Sequence, residues 1–134
     1  MVRATFVEIP VLDLDRAVHF YEQVFGCSTS RMLIDGHEGA LIGAGTGAGA
    51  GADNGTDSDM ASEGASIALM SGESYVPSLD GTRVYLTVAD LSTSLKRAES
   101  LGGRVVYEIT EVADGLRVAE IQDSEGNRIA LSDR

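Results

Sequence analysis

The chain has 134 residues, 43% of them hydrophobic, enough for one domain or for two small modules sharing a core. A formal net charge of −11, from 21 acidic against 10 basic residues, argues against nucleic acid and anionic membranes as partners, because every phosphate contact would begin from repulsion. The single cysteine, Cys27, excludes an internal disulfide and a cysteine-rich metal site; with neither a basic-then-apolar leader nor an apolar run long enough to span a membrane, a cytoplasmic protein is expected.

In chain order, Val7, Ile9 and Val11 alternate with Glu8 and Pro10, the period of a strand with one buried face. Asp13 stands where a helix N-cap belongs. Leu14, Ala17, Val18, Tyr21, Val24 and Phe25 then form one apolar helical stripe, and Gly26 supplies the stop. Ser28 to Ile34 and Glu38 to Ile42 read as strands joined by a turn at Asp35-Gly36-His37. From Gly43 to Gly64 the chain turns to Gly, Ala, Asp, Ser and Thr, with little to bury, and is expected to be a flexible excursion between strands. It lacks the Gly-Lys-Ser/Thr of a phosphate loop, and Asp53, Asp57 and Asp59 match no complete calcium loop.

Ser66 to Met70 is another short strand, followed by a linker at 72–81. Val84, Leu86 and Val88 then repeat the first alternation, Asp90 repeats the cap, and Leu91, Leu95, Ala98 and Leu101 repeat the stripe before Gly102-Gly103. Arg104 to Glu111, Leu116 to Gln122 and Asn127 to Ser132 complete the strands, with a turn at Asp123-Ser124-Glu125-Gly126. One constant offset lays Val7 on Val84, Ile9 on Leu86, Asp13 on Asp90, Val18 on Leu95 and Gly26 on Gly103. Such a repeat implies two copies of one unit, neither able to cover its apolar face alone. The expected fold is α+β, with two βαβββ modules at 4–71 and 82–134.

These residues carry a family resemblance. The stretch from Ile9 to Gly26, the segment Val84 to Leu91 and the ending Asp123 to Leu131 resemble the vicinal oxygen chelate superfamily, which holds glyoxalase I, extradiol dioxygenases, fosfomycin resistance enzymes and bleomycin-binding proteins. The resemblance implies that the sheets of the two modules curl around a shared cavity with the helices outside, and that the protein is a homodimer. It also implies that metal-dependent members place His, Glu or Gln ligands on the first and fourth strands of each module. In this chain those places fall at Phe6, Ala68, Arg83 and Ala130. Phe and Ala offer no donor and Arg is always cationic, so no cofactor is expected; a divalent metal would need a non-standard site.

Alternation puts Glu8 and Pro10 on the face of Phe6, Tyr85 and Thr87 on that of Arg83, Ser66 and Met70 on that of Ala68, and Arg128 and Ser132 on that of Ala130. A carboxylate in the middle of an apolar strand is costly to bury unless it meets a cation, a donor or water. Glu8 is therefore the catalytic candidate, as a general acid or base, with an ion pair to Arg83 or exposure at the cavity mouth as the structural alternatives. Phe6, Glu8, Met70, Tyr75, Arg83, Tyr85 and Arg128 are the candidate ligand-binding residues. His19 and His37 read as surface residues. Two functions follow from the resemblance: a small-molecule binder of the bleomycin-resistance type, or a glyoxalase-like lyase, isomerase or dioxygenase acting on a small oxygenated metabolite.

Overall fold

The computed structural model describes residues 1–43 and 64–134. The elements run β1 (Phe6–Val11), α1 (Leu14–Phe25), β2 (Thr29–Ile34), β3 (His37–Ile42), β4 (Ser66–Ser71), β5 (Val84–Thr87), α2 (Leu91–Ser100), β6 (Arg104–Ala113), β7 (Leu116–Gln122) and β8 (Arg128–Ser132). They form two four-stranded mixed sheets, ordered β1-β4-β3-β2 and β5-β8-β7-β6. In each, the first strand lies parallel to the fourth and the other pairs are antiparallel, so the repeat seen in the sequence is a repeat of topology. Except for its two end glycines, the excursion expected at 43–64 lies outside the described residues.

Each helix begins where its aspartate predicts. Asp13 accepts the Arg16 amide at 3.0 Å and Asp90 accepts the Thr93 amide at 3.1 Å. The stripes of α1 and α2 then pack on one side of the sheets: Ala17, Phe20, Tyr21 and Val24 join Ile9, Val11, Ala40 and Leu69, while Leu91, Leu95 and Ala98 join Ala119, Ile121, Ile129 and Leu131. All of these residues belong to one core shared by the two modules, and burial on this scale dominates the stability of a small domain.

The turn between β2 and β3 is tighter than the sequence suggested. Asp35 and Gly36 both adopt positive φ, 53° and 78°, the two-residue turn that matches strand twist, so His37 already pairs with Ile34 as the first residue of β3. The turn after β7 ties the modules together. Asp123, 1% exposed, accepts the amides of Glu125, Gly126 and Asn127 on Oδ1 and the Tyr21 hydroxyl, at 2.6 Å, on Oδ2. Glu125 Oε1 accepts the Leu12 and Asp13 amides, each at 2.8 Å, and Arg16 Nε donates to Glu125 Oε2 at 2.7 Å. The corner between β1 and α1 is thereby held by the last hairpin of the other module.

Candidate functional site

With Val7, Ile9 and Val11 turned to the helices, the side chains of opposite parity line the helix-free faces of the sheets. Register fixes who stands beside whom. On module one Glu8 lies beside Ala68, which lies beside Leu41; on module two Tyr85 lies beside Ala130, which lies beside Glu120. Leu41 and Glu120 therefore hold equivalent places.

The face of module one gathers Glu8, Tyr75 and His37. Tyr75, from the linker, donates its hydroxyl to Glu8 Oε1 at 3.1 Å, and its ring meets the His37 imidazole edge-on with centroids 5.5 Å apart. Burial first, then the bond to Glu8, raises the Tyr75 phenol above its ordinary value. His37 is half-buried, and its Nδ1 is buried without a hydrogen-bond partner among the described residues. Gly72 allows this arrangement, because a Cβ there would collide with the imidazole. Beneath lies Met70, fully buried, its sulfur occupying the space a Cβ at Gly39 would need.

The face of module two is built around Glu120. This carboxylate is 5% exposed in the middle of β7 and receives two guanidiniums: Arg128 Nε donates to Oε1 at 2.6 Å and Arg83 Nη1 to Oε2 at 3.3 Å. Gln122 pairs with Arg128 in the ladder and accepts Arg104 Nε at 3.2 Å, so three arginines lie along one end of the sheet. Tyr85 stands in the row of Glu120, across Ala130, and is 55% exposed.

Several sequence expectations change. Of the alternatives open for Glu8, exposure is the one found: Glu8 is exposed and bonds to Tyr75, whereas Arg83 binds Glu120. Met70 is fully buried and does not present itself at the face. His37 is a strand residue packed on Tyr75 rather than a surface turn residue; His19 is exposed, as expected. Phe6 is partly exposed on module one, and Arg83 and Arg128 are brought together as neither strand alone implied. Glu120 was missed, although the test applied to Glu8, a carboxylate amid apolar strand residues, selects it within Leu116 to Gln122 as well. Cys27 is half-buried with its Sγ on the Tyr21 carbonyl, and burial, followed by the Glu22 charge, pushes its thiol up, away from nucleophilic reactivity.

The places that the resemblance assigns to metal ligands do not fit a metal. Ala68 and Ala130 are completely buried methyl groups, Phe6 presents a ring, and Arg83 presents a cation committed to Glu120. Among the described residues no three His, Cys, Asp or Glu side chains come together as a metal-holding group.

Comparison with known proteins agrees with this architecture. A glyoxalase family protein from Bacillus cereus superposes with a TM-score of 0.68 at 20% identity, covering 98% of this chain and 93% of its own. TioX from Micromonospora sp. gives 0.60 at 23% identity, covering 98% of each. Glyoxalase I from Zea mays gives 0.68 at 19% identity over 98% of this chain, which spans only 44% of the maize chain. At these identities the likeness shows the fold alone, and no curated protein matches the sequence. The profile of the Glyoxalase/Bleomycin resistance protein/Dioxygenase superfamily, however, matches residues 3–131, nearly the whole chain, and with the paired sheets it establishes that the protein belongs to that superfamily.

Proposed function

We propose that the protein binds a small organic molecule on the helix-free faces of its sheets and holds it by side-chain groups rather than by the superfamily's usual metal. One observation carries this reading: Arg83, at a place where metal-dependent members carry a ligand, is engaged with the buried Glu120. A guanidinium there repels a divalent ion but suits a polar organic group. The exposed rings of Phe6 and Tyr85 supply apolar contact nearby on the two faces. Cytoplasmic location and a homodimer belong to the same reading; the outer strands support the second, since β2 exposes Leu33 and β6 exposes Tyr107, Ile109 and Val112.

The test is retention from a metabolite extract. Purified protein is dialysed against the extract without added metal and examined by native mass spectrometry. One small molecule retained per chain, and lost from a Tyr85→Ala variant, is the expected result. No retention, or retention only after a metal salt is supplied, contradicts the reading. A second reading, metal-free acid–base catalysis, is favoured by the Glu8–Tyr75–His37 contacts and by a His37 Nδ1 without a partner among the described residues. Under it, Glu8→Gln abolishes turnover while leaving affinity unchanged.

A further inference from the structure

We infer that the helix-free face of module two is an anion site, in which Arg83 and Arg128, set two to one over Glu120, receive the carboxylate or phosphate group of a small organic anion, with Tyr85 beside its organic part. The inference rests on the small-molecule reading and narrows the ligand to an anion, on a chain whose net charge is −11.

The stoichiometry of charge is the starting point. A buried carboxylate needs one guanidinium to neutralise it, and Arg128, at 2.6 Å, meets that need. Arg83 is a second cation, at the looser distance of 3.3 Å. Arg104, farther along the same end, binds the neutral Gln122 and adds a third positive group without adding an anion. Among the described residues, this hydrogen-bonded group thus holds three guanidiniums and one carboxylate.

Donor geometry gives the excess a direction. Each guanidinium carries five N–H donors. Arg83 and Arg128 each give only one of theirs to Glu120, and neither side chain makes another hydrogen bond among the described residues. The two side chains remain 40% and 32% exposed, whereas that of Glu120 is 6% exposed. Glu120 therefore anchors the guanidiniums from below while their unused donors lie toward solvent, where a planar carboxylate or a phosphate can take two of them at once. Anchoring also removes part of the side-chain entropy that two free arginines would lose on binding. At the equivalent place in module one stands Leu41, which offers no carboxylate to anchor a guanidinium.

The experiment is titration calorimetry at low ionic strength with benzoate, phenyl phosphate and the neutral benzyl alcohol, on the wild type and two variants. Arg83→Met keeps the tighter Arg128–Glu120 pair and so keeps the fold; Glu120→Gln removes the competing carboxylate. The expected results are binding of at least one anion in preference to benzyl alcohol, a loss of about tenfold or more in affinity in Arg83→Met, and a gain in Glu120→Gln. Which of benzoate and phenyl phosphate binds tighter assigns the site to a carboxylate or to a phosphate. Equal binding of benzyl alcohol and the anions, or anion affinity unchanged in Arg83→Met, overturns the anion site and leaves the small-molecule reading standing. No binding of any probe, together with nothing retained from the metabolite extract, overturns both.

Discussion

The two modules share a plan and differ in chemistry. At equivalent places module one presents Glu8, Ala68 and Leu41 across its helix-free face, and module two presents Tyr85, Ala130 and Glu120. What they have in common, the aspartate caps and the apolar stripes of α1 and α2, faces the shared core and specifies the fold. What differs lies on the other side of the sheets, which the core does not constrain. The difference between the copies thus separates residues kept for folding from residues available for function. A second asymmetry concerns the turn after β7, whose Asp123 and Glu125 reach across to module one and hold its first corner.

Breaking that turn has the largest expected effect. Asp123→Ala strands three backbone amides and the Tyr21 hydroxyl in a buried site, at a cost of about 3 kcal/mol or more. Urea denaturation measures it. A loss below about 1 kcal/mol would show that the turn does not hold the modules together.

Copying module one onto module two comes next. Glu120→Leu puts the residue of Leu41 beneath Arg83 and Arg128, which lose their common partner yet regain part of their hydration. The expected cost is about 1 to 2 kcal/mol, smaller than for a fully buried pair because both arginines reach solvent. Denaturation that leaves the variant unchanged would mean that the ion pairs contribute nothing to the sheet.

Acid titration sharpens the contrast between the turn and the open faces. Burial alone would raise the Glu125 carboxyl, but bonds from Arg16, the Asp13 amide, Ser124 and the Leu12 amide outweigh it and hold it at about 2. Its folded value lies below the ordinary Glu value of about 4.3, so its contribution is present above that pH and is lost as the pH falls toward about 2. Thermal melts across this window should show a smaller acid loss in Glu125→Gln than in the wild type. Equal losses would place the acid sensitivity elsewhere.

The smallest effect is expected on module one. Tyr75→Phe removes a hydrogen bond to the exposed Glu8 and should cost no more than about 0.5 to 1 kcal/mol in a melt. A larger loss would mean that the linker is part of the fold rather than part of the face.

Much of the fold was legible because periodicity reports on a buried side. Val7, Ile9 and Val11 identified a strand, Leu14 to Phe25 a stripe, and the constant offset to Val84 and Leu91 showed that the unit recurs. The candidate site was only partly legible because alternation tells which residues share a face without telling whether that face is covered. For Glu8 alternation leaves burial with a partner and exposure at the mouth both open, and the structure shows it exposed and bonded to Tyr75. Glu120 and its arginines come from β7, β8 and the residue before β5, and only the register of the sheet brings them together. His37 was misplaced by one turn residue, because Asp35 and Gly36 close the hairpin without it.

Metal content distinguishes ligand binding by side-chain groups from binding through the superfamily's usual metal. The protein is purified without chelator or affinity-tag metal and analysed by elemental mass spectrometry, before and after incubation with zinc, nickel, manganese and iron salts. Substoichiometric metal under both conditions is the predicted result, since Phe6, Ala68, Arg83 and Ala130 offer no ligand set. One tightly held transition metal per chain would contradict it and direct attention to metal-dependent chemistry.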